Sequence, residues 1–300
     1  MTIVIPSRGL RERAALLWRS IDSVRDQGGV RAVPLVVLNG AQRASEVEGA
    51  LRAASGVRLI VREEASLAAA LRVGREAVDS AWYGTLDDDD TLLPGALARR
   101  VRELETHPEA NVVVTNGLLR RDGRDTVHIP PDARVATAPL QALRDRNWLL
   151  PGSWLARSEG VGPELFDGMP HHRECTYLAL RFASEYRMRW VQEPTVVYHL
   201  GSPAAVSRSR DFFLGQTAAL QHMLNLPLPA WFRRHLRWSI AATYHESADI
   251  LWRDGDLEEA WRHHLRSLVW WCGVRYLPFT RHLLGATWRR TVARVSQAVS

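Results

Sequence analysis

The chain contains no lysine, so all 39 of its basic residues are arginine. A GC-rich genome produces that bias without any functional demand. Two cysteines, Cys175 and Cys272, exclude a disulfide framework and suit a reducing, cytoplasmic setting. Long apolar runs are also missing. None reaches the roughly 20 residues a spanning helix needs, and the nearest, Leu268 to Phe279, is interrupted by Arg275. No secretory signal is visible, because the sequence opens directly on a strand. Internal repeats and low-complexity segments are absent, which excludes solenoids and disordered arrays. What remains is a globular composition, 46% hydrophobic and 24% charged, able to bury a full core. Its length of 300 residues allows one large domain or one and a half.

The most informative feature is a run of four aspartates, Asp87 to Asp90. It follows the apolar stretch Ala81 to Leu86 and precedes Thr91-Leu92-Leu93-Pro94. Adjacent carboxylates repel, so a packed domain tolerates them only with positive charge among them. A divalent cation supplies that charge, and oxygen-only ligands select Mg²⁺, Mn²⁺ or Ca²⁺ over Zn²⁺. A solvated acidic turn is the plain alternative. The run, however, sits where a strand stops and a Pro-started helix begins. In an open α/β sheet that is where ligands bind.

Strands and helices alternate around it. Thr2 to Pro6 reads as a buried strand, and Pro34 to Leu38, Val57 to Val61, Trp82 to Leu86 and Asn111 to Thr115 read as further short strands. Between them, Arg11 to Asp26 carries Ala14, Leu17, Ile21 and Val24 at helical spacing. Ser66 caps a helix running to about Ser80, and Pro94 to Glu105 is another. The alternation predicts a parallel sheet with helical crossovers. Arg120 to Asp125 reads as a polar hairpin turn and residues 126–147 as irregular. Gly152 to Ala156 and Arg189 to Gln192 read as strand pieces flanking a helix over Cys175 to Ser184. After about Ser209 the pattern becomes helical. Phe232, Leu236, Ile240, Tyr244 and Ala248 step by four; Leu257, Trp261, Leu265 and Leu268 mark the next helix after an Asp254-Gly255-Asp256 turn. The domains are therefore expected at 1–209 and 210–300.

In this order, over roughly residues 1–205, the motifs resemble those of glycosyltransferase family 2. They are Ile3-Val4-Ile5-Pro6-Ser7-Arg8, Val36-Val37-Leu38-Asn39-Gly40, and Leu86 to Asp90 with Pro94. Gly152-Ser153-Trp154, the stretch Leu165-Phe166-Asp167 through Glu174 to Ala183, and Tyr198-His199 follow. The resemblance implies a GT-A fold: an α/β, Rossmann-like, mostly parallel sheet flanked by helices, here followed by a C-terminal helical region. It implies a nucleotide-diphosphate sugar donor, Mn²⁺ or Mg²⁺, and transfer to an acceptor hydroxyl with inversion.

Site residues follow from the same resemblance. Pro6, Ser7, Arg8, Asn39 and Arg72 would line the nucleotide pocket with Asp87 and Asp88. Asp87, Asp89, Asp90 and His199 would hold the metal, although the register within four identical residues stays open. Glu174 would be the general base, with Asp167 as fallback. A carboxylate at a helix N-terminus is well placed to remain ionised, and it is equally suited to capping backbone N–H groups. Departures from the pattern are Leu38-Asn39 in place of an acidic pair, Leu71-Arg72 in place of Arg-Asn, and Cys175 in place of a second acid. They bear on which nucleotide is bound. His171 and His172 either touch the acceptor or cover a loop, and two adjacent histidines alone are weak evidence for zinc.

Trp231 to Ser300 holds 11 Arg against 6 Asp/Glu and 7 of the 12 Trp. Arg mixed with Trp suits peripheral contact with an anionic membrane at its inner face. A helical bundle packed on the catalytic domain is the alternative. The expected setting is cell-envelope polysaccharide or glycolipid assembly, with a glycan, glycolipid or natural-product acceptor. Two rival functions remain. A nucleotidyltransferase would need a better phosphate loop than Arg8-Gly9-Leu10-Arg11. A non-catalytic, membrane-associated nucleotide-sugar-binding protein would suit the altered motifs. Nucleic-acid binding has no motif to support it.

Overall fold

The structure, a computed structural model, describes residues 1–201 and 210–299, with side chains described to 201 and from 214 to 292. The chain divides into two compact units, Met1–Ala205 and Val206–Ser300. The expected boundary after residue 209 and the end of the resemblance near 205 lie outside the described residues.

The first unit begins with four parallel strands. These are β1 (Thr2–Ser7), β2 (Val33–Asn39), β3 (Arg58–Arg62) and β4 (Trp82–Thr85), in the order β3-β2-β1-β4. Parallel neighbours require crossovers. Helices α1 (Ala14–Arg25), α2 (Ser45–Ala53) and α3 (Leu67–Glu76) supply them. Leu17, Ile21 and Val24 of α1 are buried, as their spacing predicts. The hydroxyl of Ser66 accepts the N–H of Ala69 at 3.3 Å and starts α3. That helix stops at Glu76, a turn before the expected Ser80. Helix α2 has no counterpart in the sequence reading, because only Val47 and Leu51 mark its buried face.

The second half of the sheet is mixed rather than parallel. In chain order it adds β5 (Thr91–Leu92), α4 (Ala96–Thr106), β6 (Val112–Arg121) and the hairpin strand β7 (Arg124–Val127). Two short helices come next, α5 (Arg134–Thr137) and α6 (Pro139–Asp145), within the stretch read as irregular. Strand β8 (Trp154–Arg157), α7 (Glu174–Glu185) and β9 (Met188–His199) complete the unit. Strand β8 lies antiparallel between β4 and β6, while β6 and β9 run parallel. Close approach is built in at Gly84, where a Cβ would sit 2.7 Å from the Trp154 carbonyl. Gly152 has φ +71°, and a Cβ there would meet Leu86 at 2.6 Å.

Strand β9 continues well past Gln192. Thr115 pairs with Val191 but Asn116 with Pro194, so the register shifts by a bulge that accommodates the proline. Beyond the bulge the strand extends to His199. Its last residues pair antiparallel with β5, Val197 opposite Thr91 and Val196 opposite Leu92. That pairing carries His199 to the end of the aspartate turn.

The second unit is helical: α8 (Arg210–Met223), α9 (Ala230–Arg253), α10 (Leu257–Val269), a 3₁₀ segment over Gly273–Phe279, and α11 (Thr280–Val299). The four-residue step in α9 was read correctly, since Phe232, Leu236, Ile240, Tyr244 and Ala248 are all buried. In α10 the buried face is the expected one only in part. Ala260, His263, His264 and Ser267 face inward, while Leu265 is 55% exposed. The expected Leu257, Trp261 and Leu268 are half-buried beside them, and Trp261 packs against the buried cluster of Leu251, Ala260 and Leu283. Among the described residues no helix is long and apolar enough to cross a membrane.

Candidate active site

Parallel strands β1, β2 and β4 end at one edge of the sheet, so Ser7, Asn39 and the residues after Thr85 meet there. The side-chain amide of Asn39 donates to the Ser7 carbonyl at 3.0 Å. The Ser7 hydroxyl donates to Asp88 Oδ2 at 2.5 Å and accepts the N–H of Gly9 at 3.1 Å. Pro6 is buried in β1 beneath this network, and Arg8 points outward to Gln42 at 3.1 Å.

The aspartate turn is gripped by one side of α1. Arg13, at the N-cap of that helix, pairs with Asp88 and, at 3.1 Å, with Asp89 Oδ2. The Ser20 hydroxyl donates to the Asp90 carbonyl at 2.6 Å, and Arg19 donates to the Asp89 carbonyl at 2.6 Å. Arg13 and Ser20 are two helical turns apart, hence on one face. Sequence reasoning asked for positive charge among the aspartates and overlooked Arg13. Nothing in its spacing marks it out, because the approach of α1 to the turn is set by tertiary packing.

One guanidinium does not neutralise four carboxylates. Carboxylate oxygens of Asp87, Asp89 and Asp90 lie within 4.8 Å of one another. Burial pushes the Asp87 carboxyl up to about 8, helped by Asp89, Asp88 and Glu174 and opposed by Arg13. Asp90 is completely buried. It too is raised well above the ordinary carboxylate range, by burial and then by Asp87 and Asp89. One of its oxygens accepts the backbone N–H of His199 at 2.9 Å, and the other, Oδ2, is buried with no hydrogen-bond partner. An orphaned buried carboxylate oxygen beside two more carboxylates fits a hard divalent cation.

His199 reaches this group through its backbone. Its imidazole Nε2 is hydrogen-bonded to the Thr91 hydroxyl at 3.2 Å, and the ring is not part of the carboxylate cluster. Burial, then Arg19 and Arg120, lowers its basicity and keeps it neutral.

Helix α7 starts close by, since Glu174 is near enough to help raise Asp87. The turn before it is strained. His172 and Arg173 have φ 69° and 56°, a conformation costing non-glycine residues about 1–2 kcal/mol each. This turn lets Glu174 Oε1 accept the His172 N–H at 2.9 Å. The His171 imidazole stands 3.9 Å from the same oxygen. Cys175 follows, its thiol raised by burial and then by Asp87, Glu174 and Asp90. It stays protonated and adds no charge. Arg72 and Asp167 pair with each other, both half-exposed, with Glu76 as a further partner of Arg72.

A parallel half-sheet ending in an acidic turn, with a helix-borne glutamate beside it, is the architecture of a GT-A glycosyltransferase. Residues 2–148 match the profile described as glycosyl transferase family 2, so this stretch is a domain of that family. No curated protein matches the chain. Among solved structures, S. aureus TarS 1-349 in complex with UDP-GlcNAc is 12% identical, with a TM-score of 0.55 over 81% of this chain and 71% of that one. The same fragment in complex with UDP gives 0.50 at 12% identity over 81% and 70%. Against S. aureus TarS the score is 0.52 at 12% identity, and the match covers 81% of this chain but 42% of that one. At such identities the likeness is one of fold.

Proposed function

We propose that this glycosyltransferase moves a sugar from a nucleotide-diphosphate donor to an acceptor hydroxyl with inversion, assisted by Mn²⁺ or Mg²⁺. The observation that carries the reading is the convergence of Asp87, Asp89 and Asp90 at the carboxyl edge of the sheet, Asp90 fully buried and the other two partly so, with Glu174 near enough to raise Asp87. Ser7 and Asn39 line the nucleoside side of the site, and Asp88, held by Ser7 and Arg13, faces the ribose. Asp87, Asp89 and Asp90 are the residues that would hold the cation, and the cation would offset the charge of the leaving diphosphate. Arg13 fixes the turn so that those carboxylates stay aimed at one point.

Glu174 takes the proton of the acceptor hydroxyl. The acceptor oxygen then forms its bond to the anomeric carbon as the bond from that carbon to the diphosphate oxygen breaks, in one displacement. The pairing of Arg72 with Asp167 leaves Asp167 the weaker candidate for this role. Uridine diphosphate sugars are the first donors to test, because the fold is shared with a protein solved with UDP-GlcNAc and UDP. Cell-envelope polysaccharide or glycolipid assembly is the proposed setting, with peripheral attachment at the inner membrane face.

Glu174→Gln is expected to leave donor binding intact and to lower turnover by about 10²–10⁴-fold. Near-normal turnover would exclude it as the base. A second reading is a donor-binding protein without catalysis, favoured by the hydrogen bond that ties Glu174 to the His172 N–H. Under that reading the wild-type protein binds donor and shows no transfer.

A further inference from the structure

After Glu259 the sequence contains no Asp or Glu at all, while Arg262, Arg266, Arg275, Arg281, Arg289, Arg290 and Arg294 follow. Arg262 pairs backward with Glu258 and Glu259. Among the described residues, Arg275, Arg281, Arg289 and Arg290 have no carboxylate partner, and all four are exposed. Arg275 lies over the rings of Trp238 and Tyr276 at 4.5 and 4.6 Å.

A pocket of about 180 Å³ opens among these cations, lined by His245, Arg275, Tyr276, Phe279, Arg281 and His282, with Pro278 at its wall. His245 stacks on Tyr276 at 4.1 Å, and its Nδ1 is buried without a partner. The pocket thus offers two guanidiniums, with no acidic group in its lining.

Its surroundings are apolar and exposed. Val274 and Leu277 in the 3₁₀ segment are 74% and 57% exposed, and Trp271 just before it is 52% exposed. On α11, Arg281, Leu284 and Trp288 fall at i, i+3 and i+7, on one helix face, with Leu284 at 58% and Trp288 at 71% exposure. A soluble surface does not expose contiguous aliphatic and indole groups among unpaired arginines without a partner for both.

We propose that this surface of the C-terminal unit docks on an anionic bilayer. The pocket takes a lipid phosphate headgroup between Arg275 and Arg281, while Trp271, Val274, Leu277, Leu284 and Trp288 enter the interface. Charge complementarity selects a polyanionic surface, and the aliphatic groups select lipid over nucleic acid, since Val and Leu cannot stack on bases as aromatics do. The inference rests on the C-terminal unit alone and gives residues to the peripheral attachment proposed above.

The test is co-sedimentation of the full chain with phosphatidylcholine vesicles, with and without phosphatidylglycerol. Preferential binding to the phosphatidylglycerol vesicles is expected. Arg281→Ala and Arg289→Ala should each weaken it about fivefold. Trp271→Ala with Trp288→Ala should abolish retention even on the anionic vesicles. All these side chains are exposed, so an unchanged melting temperature reports that the variants fold. Equal retention by both vesicle types, full retention by the double Trp variant, or displacement from vesicles by a single-stranded oligonucleotide would overturn the proposal. Competition by glycerol phosphate at the concentration of the lipid would reassign the pocket to a free phosphate ligand. Loss of vesicle binding leaves nucleotide-sugar binding untouched, so this failure is distinguishable from failure of the catalytic reading.

Discussion

Arginine is used differently in the first unit and at the end of the second. In the first it is built into the architecture. Arg13 pairs with Asp88 and Asp89, Arg43 with Glu48 and Glu63, and Arg99 with Glu103 and Glu193. Arg100 goes further: fully buried, it donates to the Thr195 hydroxyl at 3.0 and 2.6 Å and to the Trp154 carbonyl at 3.2 Å. In the last third of the second unit, Arg275, Arg281, Arg289 and Arg290 meet rings or solvent. The same side chain is thus consumed by a fold where carboxylates, hydroxyls and carbonyls surround it, and left available where they do not. Charge balance and partners go together: residues 1–205 hold 26 Arg and 26 Asp/Glu, whereas residues 206–300 hold 13 Arg and 7 Asp/Glu.

That contrast can be broken by single substitutions. Arg100→Ala removes a buried stem and three hydrogen bonds, so a loss of about 3 kcal/mol is expected in chemical denaturation. A loss below about 1 kcal/mol would show that Arg100 is not structural. A smaller effect concerns pH. Asp87 and Asp90 have folded carboxyls raised above their unfolded range, so the folded state binds protons more tightly there. Stability then falls as pH rises from the ordinary carboxylate range toward about 8. In cation-free protein the melting temperature should drop between pH 6 and pH 8, with Mn²⁺ restoring more stability at the upper end. A melting temperature flat across that window in EDTA, with no larger Mn²⁺ effect at the upper end, would remove the strained-carboxylate account. The smallest effect is Arg289→Ala, expected to change stability by no more than about 0.5 kcal/mol, because its side chain is exposed and has no carboxylate partner.

The sequence was legible where local chemistry decides. Strands β1, β2 and β4 are short apolar runs closed by Ser7, Asn39 or the aspartates, and Ser66 announces α3 with a cap that the structure contains. The acidic turn was legible because four adjacent carboxylates need an explanation wherever they stand. What stayed hidden depends on neighbours far along the chain. Arg13 lies 75 residues from Asp88, and the fall of Asp88, rather than Asp87 or Asp90, to Arg13 and Ser7 could not be read from four identical letters. That the β5–β9 pairing presents the backbone N–H of His199 to Asp90 could not be read from the sequence either. Arg72 and Asp167, assigned separately to the nucleotide and the base, turn out to pair with each other. In α10 the stripe was legible in part: Trp261 packs on the buried cluster, whereas Leu265 is exposed and Ala260, His264 and Ser267 are buried. Helix α2 was too short, with two apolar markers, to register as periodic.

The central claim is that Asp87, Asp89 and Asp90 form a cation-dependent donor site. It is tested most directly by thermal shift of the wild-type protein and Asp89→Ala with UDP-, GDP- and TDP-sugars, each with Mn²⁺ or with EDTA. The expected result is a stabilisation by one nucleotide class that requires Mn²⁺ in the wild type and disappears in Asp89→Ala. Donor stabilisation of equal size in EDTA, or its survival in the variant, would contradict the account.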